Sequence, residues 1–191
     1  MTRAIQLVAA CVVLGLGIAF LLDASLGSDG YSTLVNGLSL STGWPFWAMN
    51  ILVGATLVVM AWTKGTRPGP GTIVQPLVVG VVVSGALAVL PGADGLMPRV
   101  TELAVALVLL ALGVAGYLAS HTGAGPAEAV AVAWDPPIPF RWSYSLVQGG
   151  GALTGWLFGA AVGPGTFLVI LLLGPAVDLL RHLIPAMERA S

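Results

Sequence analysis

The sequence predicts an all-α integral membrane protein: six transmembrane helices in two inverted three-helix repeats, each repeat with a short re-entrant or interfacial helix. Three observations lead there. Of 191 residues, 57% are hydrophobic and 8% charged, and the mean hydropathy of +0.97 lies far above the soluble average. Six apolar runs are long enough to cross ~30 Å of hydrocarbon at ~1.5 Å per residue. The tetrapeptide Gly-Pro-Gly-Thr stands at 69–72 and again at 163–166, each time opening an apolar run. All six runs fit one membrane domain spanning 1–191.

The first run, 4–22, follows Arg3, and no small-residue cleavage pattern follows Asp23, so it reads as a retained span and not a signal peptide. Next comes LGSDGYSTLVNGLSLSTG at 26–43, glycine-rich at its start, helix-competent in its middle and closed by a turn signal. The second span, 45–63, is flanked by Trp44, Trp47 and Trp62, rings that prefer the membrane interface. Gly-Pro-Gly-Thr then opens the third span, 72–90. The second half repeats this order. A span at 100–119 precedes TGAGPAEAVAVAWDPPIP at 122–139, a second short-helix segment. A span at 140–160 carries Trp142, Tyr144 and Trp156 as further interface anchors, and Gly-Pro-Gly-Thr opens the last span, 166–184.

Overlaying the halves brings Trp44 onto Trp142, Phe46 onto Tyr144 and Asn50 onto Gln148 at a spacing of 98. After a shortening at 64–67, the two Gly-Pro-Gly-Thr blocks, and Gly80 with Gly174, match at a spacing of 94. Repeat one covers about 4–90 and repeat two about 100–185. Three spans per repeat is an odd number, so the second half must enter the membrane from the opposite side. Such inverted repeats recur in transporters, with the solute site near the midplane where broken helices meet. A cytoplasmic N-terminus puts Arg3, Lys64, Arg67, Arg141, Arg181 and Arg189 inside and leaves Arg99 outside, as the positive-inside rule requires. Both termini are then cytoplasmic, in a bacterial inner membrane.

The stretch GAGPAEAVAVAW, then Arg141, then GGGALTGWLFGAAVGPGTFLVILLLGPAVD, resembles the YczE/YitT-like group of bacterial multi-spanning membrane proteins. That group's signature runs as a GxGP-acidic stretch, an Arg, a glycine-rich span and a G-GT-GP block. The resemblance implies the multi-span architecture over the full length and is most specific from Gly123 to Asp178. Two positions depart from it. Glu128 stands two residues after the proline where an Asp is usual, and Gln148 occupies a region where a carboxylate is expected.

Candidate solute-binding residues cluster at the short helices. Gly27, Asp29 and Gly30 lead into the first, and Gly123, Gly125, Pro126 and Glu128 lead into the second; glycines there let backbone approach a ligand, and half-helix N-termini favour an anion. Asn50 and Gln148, apolar-span amides matched across the repeat, join that set. Gly71, Thr72, Gly165 and Thr166 form helix starts, each Thr an N-cap or part of a second anion site. Asp178, just past Gly174-Pro175 in the last span, is a candidate coupling residue, with pairing to Arg181 and His182 one turn on as the plainer reading. Glu128 with Arg141 reads as a gate or as a solvated loop, and Glu102 pairs with Arg99 at the outer face. Gly151, Gly155 and Gly159, four apart, make a close-packing helix face.

Other classes find little support. Seven scattered basic residues cannot form a phosphate-tracking patch, so no nucleic-acid partner is expected. No G-x-S-x-G, H-E-x-x-H or Walker A motif is present, Cys11 is alone, and two histidines are too few for a usual His-based metal site, so no enzyme activity, cofactor or metal is expected. The expected function is an inner-membrane small-solute transporter or channel. Its partners are the lipid bilayer and a small-molecule solute, with a homo-oligomer or a membrane partner as further candidates. A substrate-capture subunit of an energy-coupling transporter, or a non-transport assembly protein, are the alternatives.

Overall fold

The computed structural model describes residues 3–134, 137–138 and 140–183. Among them there are eight helices and no strands: α1 (Arg3–Asp23), α2 (Gly30–Thr42), α3 (Phe46–Thr63), α4 (Pro70–Leu87), α5 (Leu96–Leu118), α6 (Pro126–Ala133), α7 (Phe140–Leu157) and α8 (Pro164–Leu183). The order long, short, long, long occurs twice. Helices α1, α3, α4 and α5 are each long and apolar enough to cross a membrane. Expected span 140–160 is α7, which is less apolar because Ser143, Gln148, Gly151 and Gly155 lie on its buried face. Helices α2 and α6, with 13 and 8 residues, reach only roughly 20 and 12 Å at ~1.5 Å per residue and are too short to cross.

Outward faces remain apolar. Leu52, Val59 and Met60 of α3, Ile73, Leu77 and Val81 of α4, Val105 and Val108 of α5, and Phe167 and Leu171 of α8 are all exposed. Helices greasy on their outer as well as inner faces suit a lipid surround. Trp44, Trp47, Trp62, Trp142 and Trp156 are likewise exposed near helix ends, as interface anchors should be. Tyr144 departs from that expectation, because it turns inward.

The core is centred on α1 and α5, which pack along their lengths, with α4 against α1 and α8 against α5. Small residues set the approach: a Cβ on Gly113 would lie 2.7 Å from Leu14 Cα, and one on Gly17 would lie 3.0 Å from the Leu110 nitrogen. Around this pair the short helices are exchanged. Helix α2 lies on α7, and α6 lies on α3. The α2–α7 contact is backbone against backbone, with Gly30 over Gln148, Gly151 against the Gly30 carbonyl and Gly37 against Gly155. Gly159 does not share that face. It adopts φ +93 just beyond α7, and the Ala160 amide donates to the Gly155 carbonyl at 2.9 Å, a left-handed helix stop that favours glycine.

Each Gly-Pro-Gly-Thr turn clasps the lead-in of the short helix in the other half. The Gly71 amide donates to the Thr122 carbonyl at 2.8 Å, and the Gly165 amide donates to the Leu26 carbonyl at 2.8 Å. Neither Thr is the N-cap anticipated from sequence: in α4 the N-cap is Gly69 and Pro70 starts the helix. Thr72 instead reaches back, its hydroxyl accepting from the Gly69 amide at 3.2 Å and donating to the Ala124 carbonyl at 2.7 Å. Thr166 takes the same position beneath Gly163. Because the Gly71 and Gly165 amides are spent on chain carbonyls, these turns offer no anion site.

At the α1–α5 end, Glu102 faces Asp23 and not Arg99, whose Nε donates to the Ala93 carbonyl at 3.0 Å. The side chains of Arg141, Asp178, Arg181 and His182 lie outside the described residues.

Two substitutions on α7 test the exchanged packing. Gly155→Ala drives a methyl into the Thr33 carbonyl and should cost about 1–3 kcal/mol, lowering the melting temperature in detergent. Gly150→Ala, with nothing within 4 Å, should be neutral or stabilise by about 0.5–1 kcal/mol. Thr72→Val, which strands the Ala124 carbonyl and the Gly69 amide, should cost about 1–3 kcal/mol in the same assay.

Candidate functional site

The exchange of short helices brings the first turns of α2 and α6 to one cavity of about 610 Å³ between the halves, within the range of small-molecule sites. Its apolar wall comes mainly from α1, α4, α5 and α8, through residues such as Leu14, Val79, Leu110 and Val169. Its polar wall is Asp29, Tyr31 and Ser32 of the α2 start, Asn50 of α3, Gln75 of α4, Tyr117 of α5, Glu128 of α6, and Tyr144, Ser145 and Gln148 of α7. Among the described residues no Lys, Arg or His lines it.

Local structure explains each placement. Asp29 caps α2, its Oδ2 accepting from the Ser32 amide at 3.0 Å. The next free amide, on Tyr31, donates to Gln148 Oε1 at 3.0 Å, and Gln148 Nε2 donates to the Tyr144 hydroxyl at 2.8 Å. The N-terminus of α2 is therefore filled by the chain's own carboxylate and amide, so it is not open to a solute anion. Glu128, three residues past the Gly125 cap, sits in the first turn of α6, where a helix N-terminus favours a negative group. It also faces the Tyr117 hydroxyl.

Asn50 is 1% exposed. Its Nδ2 donates to the Pro76 carbonyl at 2.6 Å, and Gly80, with no side chain, leaves room for it. The Tyr31 hydroxyl donates to the Asn50 carbonyl at 3.2 Å, tying α2 to α3. Gly125 lies directly beneath two side chains: a Cβ there would meet Glu128 Oε2 at 2.5 Å and Gln75 Oε1 at 2.6 Å.

Of the sequence-derived candidates, Asp29, Asn50, Pro126, Glu128 and Gln148 line the cavity. Gly30 and Gly125 shape it from behind through the contacts above. Gly27 and Gly123 belong to the clasps, against Thr166 and Thr72 respectively. Sequence reasoning missed Tyr31, Tyr117 and Tyr144 as site residues. Tyr31 had a signal in Gly-Ser-Asp-Gly-Tyr, since a residue directly after a helix-capping Asp-Gly shares its first turn. Tyr144 reads from the sequence as an interface ring, and Tyr117, near the end of an apolar run, carries no local mark.

Burial holds the carboxyls of both Asp29 and Glu128 above the usual carboxylate range, and the charge of Asp29 raises Glu128 further. A carboxyl raised on folding binds its proton more tightly in the folded chain than in the unfolded one, so its contribution to stability declines as pH rises. That decline begins near the ordinary values of 3.8 and 4.5 and continues until each raised value is passed. The melting temperature of the purified protein should fall over this interval. Glu128→Gln should flatten the fall, and an unchanged profile in that variant would remove Glu128 as a contributor.

Comparisons with known proteins concur on class. The model of a family described as "Family of unknown function (DUF6198)" matches residues 1–182. A Haemophilus influenzae relative named "Uncharacterized protein" is 25% identical over 176 residues, covering 90% of this chain and 80% of its own. A Bacillus subtilis relative named "Uncharacterized membrane protein YczE" is 24% identical over 173 residues, covering 87% of this chain and 79% of its own. No solved structure matches significantly.

Proposed function

The chain belongs to the DUF6198 family, and from that membership and the cavity between its halves we propose that this membrane protein is an inner-membrane transporter or channel for a small solute. One observation carries the reading: a ligand-sized cavity is lined jointly by the starts of two helices too short to cross, one from each half. Irregular backbone and half-helices at membrane depth are tolerated where they line a polar cavity. Paired broken helices around a central site are the recurrent plan of secondary transporters.

In this reading the halves are inverted repeats of three spans, with α1, α3 and α4 answering α5, α7 and α8, and both termini are cytoplasmic. Matching contacts support it: the two clasps, at Gly71 to Thr122 and at Gly165 to Leu26, have the same length and the same backbone atoms. The mechanism follows as alternating access. The exchanged short helices, each anchored to the opposite half by a clasp, travel with that half as it rocks, and the cavity opens to one side and then the other.

Flux of a labelled solute panel into proteoliposomes tests this. The wild-type protein should move at least one solute above empty vesicles. Gly125→Leu, which forces a side chain into the space of Glu128 and Gln75, should abolish that flux in protein that still elutes as a folded species. Undiminished flux in the variant would remove the α6 first turn from the pathway.

A further inference from the structure

We infer that the solute is an organic cation bearing N–H donors, a protonated amine with an apolar body. The inference rests on reading the cavity as the solute site, and it draws on charge, unmet hydrogen bonding and shape.

Charge comes first. Two carboxyl groups, Asp29 and Glu128, face one cavity in which no described basic residue is present. Asp29 caps one short helix and Glu128 stands in the first turn of the other, where the helix dipole favours the ionised form against the burial that opposes it. A cation between them would pair with both and relieve their mutual repulsion.

Unmet hydrogen bonding supplies an independent pointer. Five cavity residues hold buried oxygens without a partner among the described residues: Asp29 Oδ1, Asn50 Oδ1, Gln75 Oε1 and the hydroxyls of Ser32 and Tyr117. The first three only accept, whereas the two hydroxyls can also donate. For Asn50, 1% exposed, the orientation of the amide follows from its bond to the Pro76 carbonyl, which only the NH₂ can donate. A buried acceptor left unsatisfied is costly, and native chains rarely keep three at one site without a donor to fill them. A ligand that supplies N–H groups completes this set, whereas a carboxylate or phosphate would add acceptors to acceptors. Of the chain's own donors nearby, the Tyr31 hydroxyl is engaged on the Asn50 carbonyl and the Gln148 amide on Tyr144, while the hydroxyls of Ser32 and Tyr117 stand beside the carboxyls of Asp29 and Glu128.

Shape completes the case. Tyr31, Tyr117 and Tyr144 line the same cavity as the carboxyls, and aromatic rings beside a carboxylate add to the attraction for a cation. Leu14, Ile18, Val79 and Leu110 supply aliphatic wall in the same cavity, which would receive an apolar tail.

Calorimetric titration of the purified full chain with benzylamine, benzyltrimethylammonium, benzyl alcohol and benzoate tests charge and donor content on one apolar body. Benzylamine should bind at least ~10-fold more tightly than benzyl alcohol, the scale of a charge-assisted hydrogen bond. Benzyltrimethylammonium, which keeps the charge and lacks N–H, should fall between them, and benzoate should not bind. Glu128→Gln should weaken benzylamine ~10-fold or more and leave benzyl alcohol unchanged. Should that variant not fold, Gln75→Met, which removes one orphan acceptor without altering charge, should weaken benzylamine several-fold, roughly the worth of one hydrogen bond. Benzoate or benzyl alcohol binding as tightly as benzylamine, or no binding by any of the four, would overturn the inference. Vesicle flux separates it from the transport reading. Benzylamine binding without flux leaves the cation site standing and removes transport; flux of benzoate or benzyl alcohol without amine preference does the reverse.

Discussion

The structure depends on the reciprocal clasp between each Gly-Pro-Gly-Thr turn and the lead-in of the opposite short helix. In each, a glycine amide reaches across to a carbonyl at 2.8 Å, an approach possible because a side chain on Gly71 or Gly165 would collide with that same lead-in. A backbone bond of this kind contributes only about 1 kcal/mol net, but leaving its groups buried and unpaired costs more. The position of each short helix is thus set by the half of the chain to which it does not belong. Exchange of this sort is what gathers residues far apart in sequence, such as Asp29, Asn50, Glu128 and Gln148, around one cavity.

The same short helices decide the electrostatics of that cavity. A bare helix N-terminus is an anion site, through its free amides and its dipole. Here Asp29 and Gln148 satisfy the first amides of α2, and Glu128 takes the corresponding end of α6. The helix dipoles then act on resident carboxyls and not on a solute, and the sign the cavity presents to a ligand is reversed. Among the described residues, tyrosines, serines and amides finish the polar wall without adding positive charge, so their balance is negative and rich in acceptors.

Much of this was legible in the chain itself. Apolar runs located the long helices to within a few residues, as with 45–63 against Phe46–Thr63, because crossing hydrocarbon leaves little freedom in length or composition. Glycine-led segments located both short helices, and the pairing of Asn50 with Gln148 marked two residues that do meet the same cavity. Where the reading failed, one cause was local and the other tertiary. Thr72 and Thr166 looked like caps because Thr before an apolar run usually is one, and the preceding Gly-Pro claimed that place instead. Glu102 lay one turn from Arg99, but α1 packs closely enough to bring Asp23 to it.

The sequence by itself determined that this is a helical membrane protein with a doubled plan, since hydropathy and repetition are properties of composition and order. Only the tertiary structure decided which half each short helix serves and what its first turn presents. Those outcomes turn on contacts between segments roughly a hundred residues apart, such as Tyr31 with Gln148 at a separation of 117, and no local pattern encodes them. Anion preference was the natural inference from isolated half-helices. An acidic, acceptor-rich cavity resulted because folding placed the chain's own carboxylates and amides on those helix ends first.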